Sequence, residues 1–359
     1  MGYNKIFLYY FSGTGNSRAA ANWFQEVASE RQIPCKLIQL YRDKVDELPD
    51  QNIENQLIGF FFPTHGFNAA PAMLSFIWKF PQIKNTSVFI VNTRAGMKIS
   101  KLFLPGLSGL AQILPAILLK FKGFRVVGMQ PLDLPSNWIS LHPGIKETVV
   151  QSMFEHYKVI LKSFASRILE GKTKYKALIS LPIDLFVVPI SFGYYFFGRF
   201  FLAKMFISTS SCDACGICEN QCPVGAIKMK SDRPFWKYTC ESCMKCMNNC
   251  PKKAIQTAHL YSFIWWILLW ILLPTMGIWI AFENELFHLI NNDFLTENIL
   301  TIALFTISLP IIALAYRFLH FATQWKWMDV LNKYTSLTSF KFWRRYSFGL
   351  KRFRKVNHH

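Results

Sequence analysis

Acidic residues are scarce in this chain. Against 40 Lys and Arg stand 21 Asp and Glu, a formal net charge of +19 over 359 residues. A partner chosen by charge alone would be nucleic acid or an anionic membrane surface. Charged residues of both signs make up 17% of the chain and hydrophobic ones 52%, with a mean hydropathy of +0.20, high for a wholly soluble protein. Cysteine is nearly absent outside one stretch. Cys35 alone stands apart, in the apolar run Cys35–Leu40, where a buried structural thiol is expected. The glycine-rich loop Ser12–Ser17 has no Gly-Lys-Ser/Thr ending and does not read Gly-x-Gly-x-x-Gly, which excludes the usual triphosphate and dinucleotide signatures there. No acid–base pair or nucleophile constellation stands out, and no separate output domain is visible. The first apolar run, Lys5–Phe11, is too short for a signal-peptide core or a membrane span. An oxidising compartment and its disulfides are therefore not expected.

The remaining cysteines form two runs, Cys212-x2-Cys215-x2-Cys218-x3-Cys222-Pro223 and Cys240-x2-Cys243-x2-Cys246-x3-Cys250-Pro251. Each cysteine of the second lies 28 residues after its counterpart, and Ala226-Ile227 is echoed by Ala254-Ile255. This is a duplicated unit. Three cysteines two residues apart let one tight loop place three thiolates around one iron–sulfur cube, and the fourth ligand must come from elsewhere. In the bacterial run of this spacing, the cysteine before the proline ligates the other cluster. That assigns Cys212, Cys215, Cys218 and Cys250 to one 4Fe-4S cluster, and Cys240, Cys243, Cys246 and Cys222 to the other. Zinc sites typically show two Cys pairs around one ion, and four closely spaced cysteines fit that poorly.

The N-terminal part alternates short apolar runs with helical stretches. Lys5–Phe11 reads as a buried parallel strand. Ser12-Gly13-Thr14-Gly15-Asn16-Ser17 follows at once and opens a helix. Glycines that let the backbone close on a phosphate, hydroxyls that donate to it and a helix end that favours negative charge make this a phosphate-binding loop. Further strands are expected at Cys35–Leu40, Gln56–Phe62, Ser87–Thr93 and Phe124–Gln130, with a long amphipathic helix over Ile145–Gly171. Such alternation implies a doubly wound parallel sheet, which binds ligands beyond its strand C-termini. The loops Pro63-Thr64-His65-Gly66-Phe67-Asn68, Asn92-Thr93-Arg94-Ala95-Gly96 and Leu134-Pro135-Ser136-Asn137-Trp138 are then the walls of the site. Leu102–Phe121 falls where the helix between the fourth and fifth strands belongs.

The loop Ser12–Ser17 resembles the FMN-phosphate loop of flavodoxins, with its hydroxyl-x-Thr-Gly-Asn-hydroxyl pattern. Together with both cysteine runs, Leu134–Trp138 and Arg233-Pro234-Phe235-Trp236, it makes residues 1–258 resemble the flavodoxin/ferredoxin fusion proteins. The resemblance implies FMN, two 4Fe-4S clusters and electron transfer between them, and no particular substrate. The ring loops differ from those of ordinary flavodoxins in holding no acid. Arg94 and His65 are expected to stabilise the reduced flavin anion.

The C-terminal third lies outside that pattern. Tyr261–Phe282 carries no charge and three tryptophans, Trp265, Trp266 and Trp270; Asn298–Leu319 is charged only at Arg317. Both are about one bilayer long as helices and read as two membrane spans. The loop Glu283–Glu297 is acidic and the segment from Phe321 onward basic, which places the tail and both cofactor domains in the cytoplasm. The tail's interleaved aromatics and cations suit an interfacial segment on anionic lipid better than RNA. Leu181–Phe206 is apolar and aromatic but broken by Pro182 and Pro189. It is expected to lie in the interface, with Arg199 and Lys204 reaching to headgroups.

The expected organisation is a flavodoxin-like α/β domain (1–172), an apolar linker (173–208), a small α+β ferredoxin domain with two clusters (209–258), two transmembrane helices (259–320) and a basic aromatic tail (321–359). The expected role is a carrier anchored in the cytoplasmic membrane, passing electrons between FMN and the clusters. Its partners would be redox proteins or a quinone-type acceptor, together with membrane lipid, and no nucleic acid. The alternative is an FMN-dependent oxidoreductase acting on a quinone, porphyrinogen or polyprenyl group.

Overall fold

The structure, a computed structural model, describes residues 2–49, 55–268, 271, 275 and 293–345. Strands β1 (Lys5–Tyr10), β2 (Cys35–Gln39), β3 (Gln56–His65), β4 (Asn68–Ala69), β5 (Ser87–Ile99), β6 (Leu102–Leu104), β7 (Arg125–Pro135) and β8 (Lys174–Tyr175) make the main sheet. Its order is β2-β1-β3-β5-β7-β8, with β4 and β6 folded back as short hairpins on β3 and β5. Every pair along the main path is parallel. Counting only the five long parallel strands, the order is the 2-1-3-4-5 of the flavodoxin-like doubly wound fold.

Both sheet faces are buried, which is why the strands read as unbroken apolar runs rather than alternating ones. Helices α1 (Asn16–Glu30) and α4 (Glu147–Leu169) cover one face, where Phe24 stacks on Phe89 at 4.5 Å and Phe164 closes the layer. Helices α2 (Pro71–Lys79) and α3 (Ile113–Phe121) cover the other, over Phe60, Met73, Ile77 and Leu119. Strands β3 and β5 run three and six residues past the bounds expected from the sequence. Their ends stay paired, β5 with β7 through Gly96 and Pro135, and this carries the loops out over the sheet edge. The helix expected over Leu102–Phe121 is confined to α3, because Pro105, Gly106 and Gly109 precede it in a hairpin and loop.

After β8 the chain breaks into short helices: α5 (Leu181–Phe186), α6 (Val188–Gly193), a π turn (Tyr194–Gly198) and α7 (Arg199–Ala203). Pro182 and Pro189 stand in the first turns of α5 and α6, where a missing N–H costs nothing. The two halves, Lys176–Phe186 and Val188–Ala203, meet at 80°. Ile183, Leu185, Phe186, Ile190, Phe192 and Phe196 are exposed. Lys204 does not reach outward as expected. It is 2% exposed, donates to the Trp236 carbonyl and sits 4.2–5.2 Å from the ring centres of Tyr238, Tyr316 and Phe235. Arg199 likewise lies over Tyr195 and Phe200.

The cysteine-rich unit folds as two small antiparallel pairs, β9 (Phe206–Ser208) with β12 (Ile255–Thr257) and β10 (Ile227–Lys230) with β11 (Arg233–Trp236), plus α8 (Ile217–Asn220) and α9 (Lys245–Asn249). Beyond it come α10 (His259–Ile267), α11 (Asp293–Ala322, with Pro310 inside) and α12 (Lys326–Thr335). Most of the expected span Tyr261–Phe282, and of the acidic loop Glu283–Glu297, lies outside the described residues. Among the described residues no single helix is long and apolar enough to cross a membrane. Besides the pair at 176–203, a bent pair, Thr306–Ala322 with Lys326–Thr335 at 112°, passes the test of length and composition.

Up to residue 345 the basic tail is also bonded to the protein's own domains. The Asp329 carboxylate accepts from Ser210, Thr338 bonds Gln256 and Thr257, and the Trp343 indole donates to the Ile139 carbonyl. This stretch straps the two cofactor domains together. Phe342, Tyr334 and Trp327 remain exposed on it.

Candidate redox site

Strand β1 ends at Tyr10, and the next residues, all buried, turn back over the sheet edge into α1. The turn is set by Gly15, at φ +104°, whose amide donates to the Ser12 hydroxyl. No side chain caps α1 and no acid lies in its first turn, so its positive end is open to an anion. A cavity of about 210 Å³ begins there. Ser12, Gly13, Thr14, Asn16 and Ser17 line it with Pro63, Thr64, Gly66, Thr93 and Arg94, and with Pro135, Ser136, Asn137 and Trp138 of the third loop. All three loops singled out in the sequence meet there. Hydrogen bonds fasten two of them to the Ser12–Ser17 loop: Ser17 to Thr93 at 3.2 Å, Asn16 to the Pro135 carbonyl at 3.0 Å, and Asn137 to Thr14 at 2.5 Å. Hydroxyls, a helix start and a cavity walled by the loops suit a phosphate with an attached ring system, so the residues fit FMN.

Four of the expected contacts stand elsewhere. Gly15 shapes the turn without lining the cavity. Asn92 lies behind the wall, donating to Thr64 and Ser108 and accepting from Gln112. Gly96 faces Asp133, where a Cβ would come within 2.5 Å of that side chain. His65 is 3% exposed and points away, its Nδ1 3.7 Å from Glu241. Burial draws His65 down to about 4 and pushes Glu241 up to about 8. Burial thus favours the neutral form of both, which works against the charge expected on His65.

Arg94 does line the cavity, but its charge is spent on Asp133, with contacts of 2.6 and 3.3 Å in a fully buried pair. The sequence showed no acid in the ring loops. The acid comes instead from β7, one strand over, where the register sets Arg94 beside Asp133. Asp133 also accepts from Gly106, and Arg94 donates to Ser108. Asp184 of α5 in turn accepts from the Ser108 and Gly109 amides, so the apolar linker braces the cavity wall. Arg94→Ala is expected to destabilise the sheet domain by roughly 3–5 kcal/mol, because it strands a buried carboxylate. The shift of its urea midpoint measures this.

The cysteines gather in two sets. Cys212, Cys215, Cys218 and Cys250 line one cavity, together with Cys246. Cys222, Cys240, Cys243 and Cys246 line a second. The 28-residue repeat persists in the backbone. Ala214 and Ser242, Gly216 and Met244, and Gly225 and Lys253 are equivalent pairs, and all six have positive φ. Non-glycine residues rarely adopt that conformation, and it recurs here where thiols must be turned inward. The Ala226 amide donates to Cys222 Sγ at 3.2 Å and the equivalent Ala254 amide to Cys250 Sγ at 3.3 Å. Burial raises the Cys218 and Cys243 thiols to about 12, so only metal binding would hold them as thiolates. Among the described residues no three potential ligands close on a single ion. Thiols spread around a space suit a cube, in which each binds a different iron. Cys35 is apart from both sets, its thiol raised to about 12 by burial.

The two sites touch. A Cβ on Gly13 would fall 2.2 Å from the Cys243 carbonyl oxygen. The Trp138 indole donates to the Ser242 carbonyl at 3.0 Å, and the Ala72 amide to Glu241 at 2.6 Å. The loop carrying Cys240 and Cys243 therefore rests on the cavity loops. Neither motif alone signals this contact.

Residues 211–255 match the 4Fe-4S dicluster domain family. No curated protein matches the chain. Among solved structures it is similar to the rubredoxin:oxygen oxidoreductase of Desulfovibrio gigas (14% identity over 45% of this chain and 37% of that one, TM-score 0.26). It is also similar to a two-electron-reduced flavodoxin from Megasphaera elsdenii (12%, 43% and 98%, 0.27) and to an NAD(P)H:quinone oxidoreductase from Methanothermobacter marburgensis (11%, 45% and 99%, 0.30). The chain thus spans little more than a third of the D. gigas protein. Likenesses this weak carry no argument of their own; the strand order establishes the sheet. The chain joins a doubly wound sheet of flavodoxin-like strand order to a 4Fe-4S dicluster domain.

Proposed function

We propose that this protein is a membrane-associated electron carrier holding one FMN in the cavity at Ser12–Ser17 and two 4Fe-4S clusters. One cluster is held by Cys212, Cys215, Cys218 and Cys250, the other by Cys240, Cys243, Cys246 and Cys222. When bound, FMN exchanges electrons singly or in pairs and each cluster exchanges one. The observation that carries the reading is the contact of Gly13 and Trp138 with the Cys240–Cys243 loop. It makes the second cysteine set the flavin's neighbour, while the first set, with Cys215 exposed, faces a partner. The membrane reading is supported by the exposed face of residues 181–203 and by the apolar composition of the C-terminal third. The cytoplasmic membrane, with the cofactor domains inside, is the location that the charge pattern suits.

A second reading, an FMN-dependent oxidoreductase for a lipid-soluble quinone-like molecule, draws on one contact. Tyr194 of the apolar segment packs on Gly66 of the flavin cavity, so a molecule dissolved in lipid would approach close to the ring.

The test is anaerobic analysis of the detergent-purified protein, with about eight iron, eight sulfide and one FMN expected per chain. Stoichiometric zinc would reject the cluster assignment. On anionic vesicles, replacing Phe186, Phe192 and Phe196 with Ser should weaken binding roughly tenfold or more. Unchanged binding would remove this face from the membrane.

A further inference from the structure

The last described residue of the strap, Arg345, has no part in either cofactor shell. Arg345 is half-buried against the ferredoxin unit. Its Nη1 donates to the Met247 carbonyl at 2.6 Å, and its Nη2 to the Lys253 and Ile255 carbonyls, each at 2.8 Å. Met247 follows Cys246, a ligand of the cluster near the flavin. Lys253 and Ile255 follow Cys250, a ligand of the outer cluster. One guanidinium thus lies between the segments that serve the two cubes. It is held there by the preceding residues, through Asp329, Thr338 and Trp343 as described. Burial draws it down only to about 10, with Cys250 and Cys246 the nearby groups that oppose the fall. It stays charged at neutral pH.

We propose that Arg345 is a positioning residue that raises the reduction potentials of both clusters. The inference rests on the two-cluster reading above. Each cube gains one electron, and with it one negative charge, on reduction by an external donor such as dithionite; no bond forms or breaks. A fixed cation between the ligand segments stabilises the more negative form. Because the strap carries it, the C-terminal segment sets how readily the clusters accept electrons, although it lies some 90 residues beyond them in the chain.

The experiment is an anaerobic dithionite titration of full-length protein followed by electron paramagnetic resonance, comparing wild type, Arg345→Gln and Arg345→Lys. In Arg345→Gln both midpoints should fall, about a tenfold change in the reduced-to-oxidised ratio at a set potential, which is ~59 mV for one electron. In Arg345→Lys, which keeps the charge and loses part of the hydrogen bonding, they should stay near wild type. A Gln variant with full iron and wild-type midpoints would overturn the proposal. Should the Gln variant lose iron, the Lys variant decides: iron retained with wild-type midpoints supports the role of the charge, and lowered midpoints or lost iron overturn it. Wild-type protein without two cluster signals would instead reject the two-cluster reading itself.

Discussion

Cys222→Ser is expected to remove one cluster and spare the other, and the lost one should belong to the opposite cysteine run. In sequence Cys222 follows Cys212, Cys215 and Cys218. In space it shares a cavity with Cys240, Cys243 and Cys246, while Cys250 shares one with the first three. A thiolate replaced by a hydroxyl leaves a cube with three ligands, so iron should fall from about eight to about four or five per chain. The spectral signal that remains should be the one abolished by Cys250→Ser. Cys35→Ser, in a position remote from both sets, should leave all the iron in place. If Cys222→Ser and Cys212→Ser abolish the same signal, the crossed assignment is wrong and each run holds its own cluster.

Short-range patterns carried most of the fold. Apolar runs gave the five long strands, because a sheet covered on both faces tolerates no polar alternation, and the 28-residue repeat marked the cysteines that gather in two sets. What the sequence did not show depends on pairing across distance. Asp133 lies 39 residues from Arg94, and only the β5–β7 register reveals that the expected cationic wall is a neutral pair. His65 looked like a ring contact because of its loop position. It is buried beside Glu241 of the other domain, outside the cavity lining, where burial favours its neutral form. Arg199 and Lys204 read as headgroup-seeking cations at the end of an apolar stretch, but the rings of Tyr195, Phe200, Phe235, Tyr238 and Tyr316 hold them inside. The strap from residue 326 to 345 has the composition of an interfacial segment, and nothing local distinguishes binding to lipid from binding to the protein's own domains.

Gly13→Ala is expected to part the flavin cavity from the inner cluster. Gly13 belongs to the phosphate loop, where glycine is ordinarily explained by the close approach of a phosphate. The structure adds a second constraint on its other side. An added Cβ would stand 2.2 Å from the Cys243 carbonyl oxygen and 2.9 Å from the Cys243 Cβ. Neither is the end of a flexible side chain. Cys243 is held by a loop with Ser242 and Met244 in left-handed conformations, so the two loops must separate. Overpacking of this kind costs about 1–3 kcal/mol, and here the strain falls on the contact between the domains. Trp138 would be drawn away from the Ser242 carbonyl at the same time. In protein that still carries iron and FMN, electron exchange between flavin and clusters after rapid partial reduction should be slower than in wild type. Gly193→Ala, where a Cβ meets nothing within 4 Å, serves as the control and should match wild type. An unchanged exchange rate in fully loaded Gly13→Ala protein would show that electrons do not cross at this contact, and the route between the cofactors would then have to run through another partner.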